Sequence, residues 1–167
     1  MIHEWQINDY HPTSKLWFYT ISPAINEHQI SAFENELHSF CTQWTAHNKE
    51  LRSFFRVIEN KILILGVDEH LNPASGCSID KSVHFLEDLE KKFNIELFNR
   101  MLFTFIDEHN QLKTLDRNAF ENAIDEGIIQ QNTLVINNLA LTVNDWNNKG
   151  LLAFADSWMS NFFGVKK

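Results

Sequence analysis

The residue types able to do chemistry crowd into one stretch of this chain. Asp68-Glu69 is followed, after a short loop, by Ala74-Ser75-Gly76-Cys77-Ser78-Ile79-Asp80. Small hydroxyls at Ser75 and Ser78 suit the start of a helix, where free backbone N–H groups and the positive end of the helix attract anions. Cys77 would be a nucleophile only as a thiolate; the helix end favours ionisation, while Asp68, Glu69 and Asp80 oppose it. With His47 as a further proton carrier, the set points to a small anionic or carbonyl-bearing ligand, with His47 and Asp68 or Glu69 exchanging protons. Each residue also has an ordinary use. Ser-Gly-Cys-Ser before a helix serves as turn and cap, with Gly76 supplying an unusual backbone angle. His47 after a helix can interact with its last carbonyls, Asp68-Glu69 can be a solvated turn, and Trp44 can be core packing.

Composition limits the alternatives. The chain has 167 residues, and its 22 acidic against 14 basic side chains leave a formal charge of −8, which disfavours a nucleic-acid groove built from clustered Lys and Arg. Its 44% apolar and 13% aromatic content argues for a globular fold rather than disorder, and its length suits a single domain over 1–167. The first residues lack the pattern of a secretory signal, and no apolar run approaches the ~20 residues of a membrane helix, so a soluble cytoplasmic protein is expected, with Cys41 and Cys77 as reduced thiols. The glycines at 66, 76, 127, 150 and 164 fit neither G-x-x-x-x-G-K-[ST] nor G-x-G-x-x-G. No C-x-x-C, H-E-x-x-H, EF-hand or G-x-S-x-G pattern occurs. The spacing names no cofactor and no metal site; His47, His70, Asp68 and Cys77 could form one only if folding assembled them.

The elements that must position these residues follow from periodicity. Leu16–Ile21 and Ile62–Val67 are apolar at successive positions and read as strands buried on both faces, with Gly66 marking a close backbone approach. Leu51–Ile58 alternates Arg52 and Arg56 with Leu51, Phe55 and Val57, as an edge strand does. Ile30, Phe33, Leu37, Phe40, Cys41 and Trp44 predict a helix over 26–47. Ile79, Val83, Leu86, Leu89 and Phe93 predict a second, capped by Ser78 with Asp80 in its first turn. Met101–Ile106 reads as a further strand, 107–110 as a turn, Asp116–Glu126 as a short helix stopped by Gly127, and Thr133–Ile136 as another strand. Thr142 with Asp145 resembles a capping box, and Leu151, Phe154, Ala155, Trp158 and Phe162 predict a final amphipathic helix.

The order βαββαβ with C-terminal additions is the α+β, ferredoxin-like split βαβ plan: an antiparallel sheet with the first and third strands in the middle and the second at an edge. In that plan the first helix ends, the second strand begins, the third strand ends and the second helix begins at one edge. This would gather Trp44, His47, Asp68, Glu69 and the 74–80 loop, and leave Arg100 at the opposite edge.

Val67-Asp68-Glu69 with Ala74-Ser75-Gly76-Cys77-Ser78-Ile79-Asp80 resembles a small uncharacterised family of Bacteroidota-type bacteria often labelled ABC transporter ATPase. The resemblance continues through Trp17-Phe18-Tyr19, Trp44-Thr45-Ala46-His47, Leu97-Phe98-Asn99-Arg100, Thr133-Leu134-Val135-Ile136-Asn137-Asn138 and Ser157-Trp158. Pro23 stands where an arginine is expected in that family, and Asn99 where an aspartate is commoner. The ATPase label implies a phosphate cradle that this sequence lacks, so the resemblance names no activity. Two readings follow: a small-ligand site at His47, Asp68, Glu69, Ser75, Gly76, Cys77, Ser78 and Asp80, or a non-enzymatic interaction module. The second would use the apolar segment Leu151–Phe163 to meet a partner or a second copy of the chain.

Overall fold

A computed structural model describes residues 2–165 and gives a mixed α/β architecture with open antiparallel sheets. The chain forms two compact units, Met1–Asn99 with Leu141–Asn144, and Arg100–Ala140 with Asp145–Lys167.

The first unit holds β1 (Lys15–Thr20), α1 (Ile30–Gln43), β2 (Thr45–Ala46), β3 (Lys49–Glu50), β4 (Arg52–Ile58), β5 (Ile62–Asp68) and α2 (Gly76–Phe93). Its sheet runs β1-β5-β4, every pair antiparallel. The expected third strand, β5, is central and buried at all seven positions and β4 lies at an edge, but β1, also expected in the middle, is the other edge strand of this three-stranded sheet. Alternation along β5 divides its side chains between two faces. Leu63 and Leu65 pack with Phe33 and Leu37 of α1 and with Leu86, Leu89 and Phe93 of α2. Ile62, Ile64, Gly66 and Asp68 therefore point to the face away from the helices. On that face the Phe54 ring fills the space above Gly66, its register partner, so closely that a Cβ on Gly66 would lie 2.1 Å from Phe54 Cζ. Tyr10 stacks on the same ring at 3.8 Å.

Several expected boundaries move. α1 stops at Gln43 rather than near His47, because Trp44 takes an extended conformation (φ −73°, ψ 120°) and starts a hairpin of β2 and β3. The hairpin turns through His47 and Asn48, both with positive φ (50° and 61°), as tight two-residue turns require. α2 begins at Gly76, three residues before its predicted start, with Ser75 and not Ser78 as its cap. Gly76 is not among the glycines with positive φ, so it supplies no unusual backbone angle.

The fourth strand of the ferredoxin-like plan is displaced. α2 ends in left-handed Asn94, Ile95 and Leu97 enter the helix-side core, and the outer edge of β1 is met near its ends by bridges from Thr142 to Lys15 and from Glu96 to Ser22. The strand read at 101–106 becomes β6 (Leu102–Ile106) in the second unit, where both its edges are taken in a sheet of order β7-β6-β8-β9. Here β7 is Leu112–Asp116, β8 Leu134–Ile136 and β9 Leu151–Ala153, with α3 (Arg117–Asp125) and α4 (Val143–Lys149) between them. Asp116 caps α3 by accepting the Ala119 N–H at 2.8 Å. The predicted final helix is instead β9, a 3-10 turn (Phe154–Asp156) and a short α5 (Trp158–Phe162). Phe154 and Met159 are buried with Phe103, Phe105, Phe120 and Val135, and Trp158 and Phe163 pack against that core. Among the described residues, no helix is long and apolar enough to cross a membrane.

Candidate functional site

Asp68 closes β5 opposite Arg52 of β4 and is 2% exposed. A carboxylate leaving water there needs replacement partners. Its Oδ1 accepts the backbone N–H of His70 at 3.1 Å and lies 3.0 Å from His70 Nδ1, while Arg52 Nη1 stands 3.4 Å from Oδ2. Burial pushes its pKa up, but the His70 backbone and ring hydrogen bonds and the Arg52 charge outweigh this and hold the carboxyl below its ordinary value.

The segment before β1 completes the arrangement. Arg52 lies over the Tyr10 ring at 5.3 Å, and Arg56 Nη2 meets Asp9 Oδ2 at 2.9 Å. The His11 ring packs against His70, with centroids 3.9 Å apart. Both rings are anchored through Nδ1. His11 Nδ1 accepts the Thr13 backbone N–H at 3.3 Å and lies 2.8 Å from Thr13 Oγ1, which places the proton of the neutral ring on Nε2. His70 Nδ1 donates to Asp68, so the lone pair of the neutral ring lies on Nε2. In their neutral forms the two neighbouring imidazoles thus carry one Nε2 donor and one Nε2 acceptor. His70 keeps 60% of its side chain exposed while its partner carboxylate is buried.

On the helix side of the same sheet end, Val67 packs with Trp44, Ala46 and Leu51. Trp44 Nε1 donates to Ser78 O at 2.8 Å, tying the end of α1 to the first turn of α2, and Asn72 Nδ2 donates to Glu50 O at 2.8 Å. Ser75 and Ser78 form a reciprocal capping box: Ser78 N–H reaches Ser75 Oγ at 3.2 Å and Ser75 N–H reaches Ser78 Oγ at 2.7 Å.

The four segments therefore converge, but the sheet divides their side chains. Because Val67 faces Trp44 and the α2 start, Asp68 faces the other way and joins His70, Arg52 and the 9–13 segment. Glu69 turns to Lys15 Nζ at 2.8 Å. His47 is exposed at the hairpin tip; Gly76, Cys77 and Asp80 are exposed on α2, and Asp80 is its fifth residue, past the first turn. Cys41 and Cys77 are both free, and burial pushes the Cys41 thiol up to about 11. Among the described residues no group of three His, Cys, Asp or Glu is placed to hold a metal ion.

Sequence reasoning missed His11, Tyr10 and the partners of Arg52, which is exposed as expected for the wet face of an edge strand but stands beside Asp68 and over Tyr10. The local signal at His11-Pro12-Thr13 was a side chain able to bond two residues on; nothing in it pointed to His70. In comparisons with known proteins, the chain matches no family model, no curated protein and no solved structure.

Proposed function

We propose that the first unit binds a small oxyanion-bearing ligand at the paired Nε2 atoms of His11 and His70. The observation that carries this reading is the contact between the two rings with both Nδ1 atoms engaged elsewhere. A hydrogen phosphate offers the matching pair: an oxygen to accept from His11 Nε2–H and a hydroxyl to donate to His70 Nε2. Asp68 sets the tautomer and orientation of His70, as a carboxylate behind an imidazole does, so a proton can pass between His70 and the bound hydroxyl. Arg52 supplies positive charge beside it. The ligand-binding expectation thus rests on the Asp68 end of the expected cluster; the Ser75–Ser78 hydroxyls are spent on the α2 cap.

In this reading the first unit is the βαββα part of a split ferredoxin-like plan, working in the cytoplasm, where free Cys41 and Cys77 suit a reducing compartment. Self-association through Leu151–Phe163 has less to support it, since Phe154 and Met159 are buried in the second unit's own core.

The test is titration of the full chain with inorganic phosphate, followed by the ring C–H signals of its 8 histidines. Two histidines should shift together and saturably, and His11→Gln and His70→Gln should each weaken the affinity about tenfold, as loss of a charge-assisted hydrogen bond would. Near-ultraviolet circular dichroism checks that both exposed substitutions leave the fold intact. Stationary histidine signals, or unchanged affinity in both variants, would remove the proposal.

A further inference from the structure

The second unit contains an open-mouthed cavity of about 750 Å³, within the size range of small-molecule sites. It lies between the turn joining β6 to β7 and the segment that leaves α3. Its charge is one-sided. Asp107, Glu108 and Glu126 line it with Lys113 as the one Lys or Arg, and His109, also in the wall, has its Nε2 3.6 Å from Glu108 Oε1. Asp107 Oδ1 accepts the N–H groups of His109 and Gln111 at 2.9 and 2.8 Å, which shapes the turn and holds this carboxyl below its ordinary pKa. Lys113 is engaged in the same turn, with Nζ donating to Gln111 Oε1 at 3.0 Å and standing 3.7 Å from Asp107 Oδ2. Glu126 is the C-cap of α3, so its carboxylate adds to the negative end of that helix. The apolar part of the wall includes buried Phe105 and, on the lip, Ile128, which is 57% exposed.

We propose that this cavity binds a small organic cation: an ammonium or guanidinium group meeting the Glu108 and Glu126 side, carried on an apolar body that covers Ile128 and reaches toward Phe105. The local charge excess selects the cation, and the exposed apolar lip selects a ligand with a hydrocarbon part rather than a bare metal ion. This site is separate from the imidazole pair and uses none of its residues.

The experiment is an amide NMR titration of the full chain with phenethylammonium, with 2-phenylethanol and phenylacetate as the neutral and anionic counterparts. Phenethylammonium should shift the His109, Gly127 and Ile128 amides saturably, at about millimolar strength for so small a ligand. The alcohol should bind about fivefold more weakly and phenylacetate more weakly still, and Glu126→Gln should cost the cation about fivefold. The spectrum of the variant itself reports that this exposed substitution leaves the fold unchanged. Equal binding of alcohol and ammonium, a preference for phenylacetate, undiminished binding to E126Q, or stationary amides at these three positions would each overturn the proposal.

Discussion

A carboxylate withdrawn from water at the end of a strand keeps its charge only if the protein returns the lost hydrogen bonds, and Asp68 receives them from His70 and Arg52. Since the folded carboxyl is more acidic than the unfolded one, its ionisation stabilises the fold. That contribution is complete above about pH 4, the ordinary Asp range, and fades as pH falls below it through the lowered folded value. Asp68→Asn should therefore lose about 1–2 kcal/mol at pH 7 and distinctly less at pH 3, read from urea midpoints at the two pH values. An equal loss at both would mean that the side chain's shape matters there and its charge does not. His70 feels the same substitution differently: an amide at position 68 can present either its oxygen or its NH₂ to Nδ1, so the fixed tautomer is lost.

At the scale of elements, the pairing of β4 with β5 depends on one missing side chain. The Phe54 ring occupies the Cβ space of Gly66 and is itself covered by Tyr10, so it cannot swing aside cheaply. Gly66→Ala should destabilise by about 1–3 kcal/mol, the usual cost of overpacking, and Phe54→Leu in the same chain should recover part of it. A urea double-mutant cycle measures this; strict additivity would mean that the ring and the glycine do not share the space. Gly66 was legible in the sequence as a glycine inside an apolar run, β1 and β5 as short runs rich in aromatic and β-branched residues, β4 by its alternation and the body of α2 by its helical period. The β2–β3 hairpin was not: Trp44 continues the helical stripe of α1, and two-residue strands have no period to read. The α2 cap was ambiguous because Ser75 and Ser78 stand three apart and cap each other. The division of the site between two faces was hidden by β5 itself, which is apolar on both, so alternation gave no hint of which face the helices take. The destination of β6 was equally hidden, since an apolar strand fits any sheet with an open edge.

The whole molecule sets two cores on one chain whose path returns to where it began. After leaving the first unit at Asn99 the chain builds most of the second, then comes back for Leu141–Asn144, where Leu16 N–H donates to Leu141 O at 3.0 Å and Val143 N–H to Ser14 O at 3.0 Å. Closing so long a loop costs conformational entropy unless the intervening residues are already folded, so these bonds should depend on the second core although they belong to the first unit. That core is largely aromatic: Phe120 is fully buried and touches the rings of Phe103, Phe105, Phe154 and Phe163. Phe120→Ala should cost about 3–5 kcal/mol by leaving a cavity that rigid rings cannot fill. In native-state hydrogen exchange the amides of β6 and β8 should lose protection first, the Leu16 amide should follow them, and the amides of β5, paired on both sides within their own sheet, should lose least. A Leu16 amide that keeps its protection while β6 loses its own would show that the return segment holds without the second core, and a uniform loss along the chain would show that the two cores melt as one.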